Sequence, residues 1–197
     1  MPEIGLEHWI NEPPFFDRIG RTIAPDVLTV ETGRDTDFWN NTFYGFRHAN
    51  GHLLAYPVTG DFSLELTFSA PYEALYDQAG AMLRVDDDTW LKCGVEFTDG
   101  QKHFSVVVTR GDQSDWSIMP LRGRAETPVR LRLTRHAEAL RVQVREGRNW
   151  RMVRLAFLPM PATVEVGPMC CSPTREGLRV TFHKLKWGAP IPRDLHE

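Results

Sequence analysis

Trp90-Leu91-Lys92-Cys93-Gly94-Val95-Glu96-Phe97-Thr98-Asp99-Gly100-Gln101-Lys102-His103-Phe104-Ser105-Val106-Val107-Val108 is the stretch that decides the fold. Leu91, Cys93, Val95 and Phe97 alternate with Lys92, Gly94, Glu96 and Thr98. Beyond Asp99-Gly100, Phe104, Val106 and Val108 alternate with His103, Ser105 and Val107. A period of two belongs to strands, whose side chains point to opposite faces in turn. Asp-Gly tolerates positive φ at both central positions, as a type I′ hairpin turn requires. The turn fixes the pairs: Glu96 faces His103, Val95 faces Phe104, Cys93 faces Val106, and Lys92 faces Val107. A slip of one residue would mix apolar and polar sets on both faces, so this register is the expected one.

The preceding segment docks by the same logic. Its apolar set is Ala79, Ala81, Leu83 and Val85. A three-residue loop Asp86-Asp87-Asp88 puts Leu83 opposite Leu91 and Ala81 opposite Cys93. The outer, wet face then holds Gln78, Glu96 and His103 in a row, with Arg84, Lys92 and Trp90 further along it. Gly80 falls opposite Gly94, leaving a floor without side chains where a ligand can approach the backbone.

Alternation recurs in Phe62–Ser69, Val129–Thr134 and Leu140–Arg145. Asn50-Gly51, Gly147-Arg148-Asn149 and Glu176-Gly177 supply further turn signals. Leu178, Val180 and Phe182 share one parity while Leu185 and Trp187 share the other, which predicts a bulge around His183-Lys184. The best helical match is Tyr72, Leu75, Tyr76 and Ala79, a turn or two at most. Helix is expected in under about a tenth of residues, far below the usual third. Many short strands at close spacing predict an all-β antiparallel sandwich, one domain over residues 1–197.

Lys plus Arg is 23 and Asp plus Glu is 26, a net charge of −3 with no basic block, which argues against a nucleic-acid partner. No apolar run nears the ~18 residues of a membrane span, so no membrane partner is expected. The start, Met1-Pro2-Glu3-Ile4-Gly5, lacks a basic end and an apolar stretch, so the expected location is cytoplasmic. Cys93, Cys170 and Cys171 are expected as reduced thiols, with Cys93 in the hairpin core.

Asp37-Phe38-Trp39, Tyr44-Gly45-Phe46, Gly60-Asp61-Phe62, Tyr76-Asp77-Gln78-Ala79-Gly80, Trp90–Glu96 and Ser114-Asp115-Trp116-Ser117 follow one another in order. From about Trp9 to Trp187 this string resembles an uncharacterised family labelled "regulation of enolase", within the concanavalin A-like lectin/glucanase superfamily. The resemblance implies a two-sheet antiparallel jelly-roll sandwich with one concave face. It implies no reaction, because fold is not function.

Glycan binding on the concave face is the leading expectation. Trp39, Tyr76, Trp90 and Trp116 offer aromatic platforms beside Gln78, Arg84, Lys92, Glu96 and His103, with Tyr44 and Phe46 close in sequence. The alternative is a protein-interaction or regulatory module, suggested by the family label and by Arg130, Arg132, Arg141, Arg145, Arg151 and Arg154 on a second sheet. Most exposed arginines on a sheet simply solvate it. Glycoside hydrolysis needs two carboxylates roughly 5–5.5 Å or 6.5–9.5 Å apart. Related glucanases carry a Glu-x-Asp-x-x-Glu-type strand that this chain lacks, and Glu65 is only a distant candidate partner for Glu96. No Gly-x-Ser-x-Gly element is present. Asp86-Asp87-Asp88 suits a tight turn as well as a cation, and the histidines show no chelating spacing. No catalytic residue, metal or cofactor is therefore assigned.

Overall fold

The computed structural model describes residues 2–21 and 25–195. The first strands are β1 (Glu3–Ile4), β2 (His8–Ile10), β3 (Phe15–Gly20), β4 (Pro25–Glu31), β5 (Phe38–Asn40) and β6 (Arg47–Ala49). Then come β7 (His52–Thr59), β8 (Phe62–Ser69), β9 (Gln78–Asp86), β10 (Thr89–Thr98), β11 (Gln101–Arg110) and β12 (Gln113–Pro120). The chain ends with β13 (Val129–His136), β14 (Ala139–Glu146), β15 (Asn149–Phe157), β16 (Thr163–Cys171) and β17 (Arg179–Gly188). No helix occurs among the described residues, as the alternation predicts.

The strands form an antiparallel jelly-roll sandwich. The front sheet runs β1-β7-β16-β9-β10-β11-β12, with β2 also on β7. The back sheet runs β15-β14-β13-β8-β17-β4-β3. Between them, Leu64, Leu66, Phe68, Leu83, Leu91, Val95, Phe104, Val106, Leu131 and Leu133 form one core. These are the apolar parities of their strands, which is why the chain closes this way. Asp99 (φ 54°) and Gly100 (φ 71°) make the tight turn, and every β10–β11 pair stands in the expected register. The bulge in β17 falls at His183, between Phe182 and Lys184.

Four local expectations are corrected. The β9–β10 loop is Asp87-Asp88 alone, because Thr89 pairs with Asp86 and a bulge at Val85 restores Arg84 opposite Trp90. Asn50-Gly51 is no hairpin turn: both amides donate to the Asp37 carbonyl, and β6 pairs with β5 instead. The Tyr72–Ala79 stretch forms no helix but one turn, closed by the Asp77 amide donating to the Ala74 carbonyl at 3.1 Å, and the Asp77 carboxylate accepts the Glu73 and Ala74 amides. The glycine floor serves the strands themselves. A Cβ on Gly80 would stand 2.0 Å from the Cys93 carbonyl oxygen, and one on Gly94 2.1 Å from that of Ala79.

The largest correction concerns the wet face of the front sheet, which is buried. The short β5–β6 ribbon lies over it. Phe38 and Trp39 pack with Leu53, Ala55, Met82, Trp90, Val107, Met169 and Cys171 into a second apolar cluster outside the sandwich. The outward residues of β9–β11 are thus covered by a layer that parity alone does not show.

Candidate functional site

The ribbon is fastened to the sheet by polar bonds at both ends. The Asn40 amide donates to Ser114 Oγ at 2.9 Å, and Asn40 Nδ2 donates to the Asp87 carbonyl at 3.0 Å. At the other end the Asp37 carboxylate turns inward. Between β5 and β6 the loop at 41–46 doubles back, with Asn41, Phe43 and Gly45 at positive φ. It brings Tyr44 and Phe46 together as a stacked pair, 5.3 Å between rings. Trp39 meets Tyr44 edge-on at 5.9 Å and Trp116 at 6.5 Å.

These rings wall a cavity of about 250 Å³ over the outer face of the front sheet. Trp39, Tyr44, Phe46, Tyr76 and Trp116 form its sides, with Val107 and Pro173. Asp37, Gln78, Lys92 and Glu96 form its polar floor, and Asp35 and His48 its rim. Lys92 Nζ donates to Asp37 Oδ1 at 2.7 Å, and Gln78 Nε2 donates to the same oxygen at 3.3 Å. Trp116 Nε1 bridges two acceptors, Glu96 Oε2 at 3.2 Å and Ser105 Oγ at 3.0 Å.

Burial and charge set the ionisation of this floor. Burial pushes the Glu96 carboxyl above the usual carboxylate range, and Lys92 only partly offsets it. Burial also opposes the Lys92 charge, but Asp37 foremost outweighs it and holds the ammonium above the ordinary lysine range. The Tyr44 hydroxyl, 3.5 Å from that of Tyr76, and then burial push Tyr76 up to about 12. The cavity therefore offers a fixed ion pair, an amide, a neutral phenol and a carboxyl biased toward its protonated form. This set can donate to and accept from hydroxyl groups at several points.

Of the nine sequence candidates, the structure brings six to this cavity: Trp39, Tyr76, Gln78, Lys92, Glu96 and Trp116. Three lie elsewhere. Trp90 is 2% exposed in the second apolar cluster, beneath the ribbon. Arg84 is paired with Glu165 at 2.5 Å and Asp87 at 2.7 Å. His103 sits opposite Glu96 as expected, but it is buried, does not line the cavity, and its Nδ1 has no hydrogen-bond partner among the described residues. Gln78 and Lys92, which share the face of Glu96, both donate to Asp37. Asp37 lies outside every alternating segment, so parity misses it. The signal was its place in the Asp37-Phe38-Trp39 string. Glu65 stands on β8 of the back sheet, held by Arg130 and Arg132, and cannot flank a bond with Glu96. Asp87 and Asp88 are paired with Arg84 and Arg47, and Asp86 accepts the Asp88 amide.

Three comparisons set this architecture among known proteins. The chain is 41% identical over 197 residues to "Regulation of enolase protein 1" of Saccharomyces cerevisiae, covering 99% of this chain and 96% of that one. A solved structure of a functionally unknown protein from Saccharomyces cerevisiae superimposes with a TM-score of 0.87 at 40% identity, covering 95% of this chain and 98% of that one. A xylan beta-1,4-xylosidase from Bacillus halodurans shares the fold at a TM-score of 0.62 and 14% identity, over 82% of this chain and 32% of its own. The profile of a protein family of unknown function, DUF1349, matches residues 9–190, and with the identity to the yeast protein over nearly its full length this makes the chain a member of that family.

Proposed function

We propose that the cavity over the front sheet binds a small hydroxyl-rich ligand, a carbohydrate ring, without transforming it. One observation carries the reading: five aromatic side chains surround a polar floor whose Lys92–Asp37 pair is locked at 2.7 Å. Aromatic faces suit the C–H face of a pyranose, and fixed donors and acceptors suit its hydroxyls. At about 250 Å³ the cavity is small beside sites of roughly 300–1,000 Å³, which favours one ring over a chain. Binding without bond cleavage is supported by the commitment of Asp37 to Lys92 and Gln78, and of Glu96 to Trp116. The test is a sugar array followed by titration of the best hit, read by tryptophan fluorescence. Binding that Trp116→Ala and Glu96→Gln each weaken tenfold or more supports the reading. No binding by any sugar at millimolar concentration overturns it.

A second reading rests on Phe43. It is 92% exposed at the tip of the loop that walls the cavity, beside half-exposed Tyr44 and Phe46. Exposed aromatic clusters mark contact surfaces. The yeast relative's name, "Regulation of enolase protein 1", agrees with a regulatory contact at this tip. A pull-down whose specific band is lost with Phe43→Ser, while sugar binding is retained, would favour this reading.

A further inference from the structure

The outer face of the back sheet carries a second cavity, of about 760 Å³, remote from the aromatic one. Its side chains are the outward parity of β13 and β14, whose inward parity is core. Arg132, Arg141, Gln143 and Arg145 lie on the strands, Arg148 in the β14–β15 turn, and Ile191, Pro192, Asp194 and Leu195 form one wall. Arg132 is neutralised by Glu65, to which it donates from Nε at 3.1 Å and Nη2 at 2.9 Å. The other three guanidinium groups have no carboxylate partner among the described residues. Arg141 Nη1 donates to the backbone carbonyls of Asp194 at 2.9 Å and Pro192 at 3.4 Å. Arg145 Nε donates to the Gly147 carbonyl at 3.1 Å. Among the described residues Asp194 is the single acidic residue of the lining, so three cations without a carboxylate partner face one anion.

Two atoms of this lining are buried and unbonded. Arg141 is 8% exposed and Gln143 3%, yet Arg141 Nε and Gln143 Oε1 have no hydrogen-bond partner among the described residues. Leaving a buried polar atom without a partner is costly, so a site with two of them is incomplete. One is a cationic donor, which wants an anionic oxygen. The other is an acceptor two residues along the same strand face, which wants a hydroxyl.

We propose that this cavity binds a phosphate monoester on a hydroxylated carrier. The phosphate sits among Arg141, Arg145 and Arg148, with one oxygen accepting from Arg141 Nε, and a carrier hydroxyl donates to Gln143 Oε1. Guanidinium groups match phosphate oxygens in charge and in planar geometry. The site stands independently of the sugar reading, since the two cavities share no residue.

Calorimetric titration with glucose 6-phosphate, pyrophosphate and glucose tests it at physiological salt. Both phosphates should bind, and in Trp116→Ala, whose aromatic cavity is impaired, glucose should give no heat. Arg148→Ala, in an exposed turn where folding is safe, should weaken both phosphates about fivefold or more. Gln143→Leu should weaken glucose 6-phosphate and spare pyrophosphate. Trp116→Ala, in the other cavity, should leave pyrophosphate binding unchanged. Vesicles carrying phosphatidylinositol 4-phosphate identify the source: sedimentation with vesicles assigns the ester to a lipid headgroup, and heat with the soluble ester to a solute. The proposal is overturned if no phosphate binds in either arm at millimolar concentration, or if Arg148→Ala leaves binding unchanged. If Gln143→Leu weakens both phosphates equally, the assignment of a carrier hydroxyl is overturned.

Discussion

Lys92 on β10 meets Asp37, 55 residues earlier in the chain, at 2.7 Å in a setting that leaves the lysine side chain 5% exposed. The pair is what lets a charged lysine sit under the β5–β6 ribbon. It also ties the residue that leads into the ribbon to the sheet.

Removing one partner should therefore be costly and removing both should not. Asp37→Ala leaves a buried ammonium unpaired and should destabilise by about 3–5 kcal/mol. Asp37→Asn with Lys92→Met removes the charges together and should recover most of that loss. Urea melts of the single and double variants give the comparison. A double variant as unstable as Asp37→Ala would show that the pair is not the cause.

Glu96 should shape the pH profile of stability. Its carboxyl keeps its proton to higher pH folded than unfolded, where it titrates near ~4.3. Its contribution is present below that value and is lost as pH rises through the folded one. Glu96→Gln removes the titration while keeping an oxygen for Trp116. The variant's melting temperature should gain on the parent's as pH rises above about 4.3, until the folded carboxyl has ionised. Parallel profiles would contradict the burial argument.

Gly80→Ala should be among the most damaging single substitutions. The new Cβ would meet the Cys93 carbonyl oxygen at 2.0 Å, and backbone cannot move aside without parting β9 from β10. Overpacking of this kind costs about 1–3 kcal/mol or more. Gly60→Ser, with open space around the glycine but φ at 83°, should cost less, through strain alone. Thermal melts rank the two.

The thiols should be silent in the native protein. All three are free and buried, and burial pushes Cys93 up to about 12. A thiol reagent at pH 8 should label none until denaturant is added, because the thiolate is the reactive form. Rapid native labelling of Cys93 would place it outside the core.

The two sheets and the β9–β10–β11 register were legible because alternation and one Asp-Gly turn fix parity, and parity fixes which side chains meet. Glu96 opposite His103 and Gln78 opposite Glu96 follow from that alone. Parity says nothing of what lies above a face. The ribbon at 38–49 is too short for a periodic signal, so the burial of Trp90 and the role of Asp37 were not legible. Nor does register show charge pairing at a strand's end, and so Arg84 looked available when Glu165 and Asp87 already held it.

The second apolar cluster has a kinetic consequence. It contains nine buried side chains, against the much larger core between the sheets, and only two of them come from the ribbon. A layer held by so little can lift while the sandwich stays intact, a partial opening far cheaper than unfolding. Tyr44 and Phe46 would leave with it, and Asp37 would release Lys92. Such lifting would dismantle one wall of the cavity, and an occupant that bridges ribbon and sheet should slow amide exchange in β5 and β6 while leaving exchange in β8 and β13 untouched.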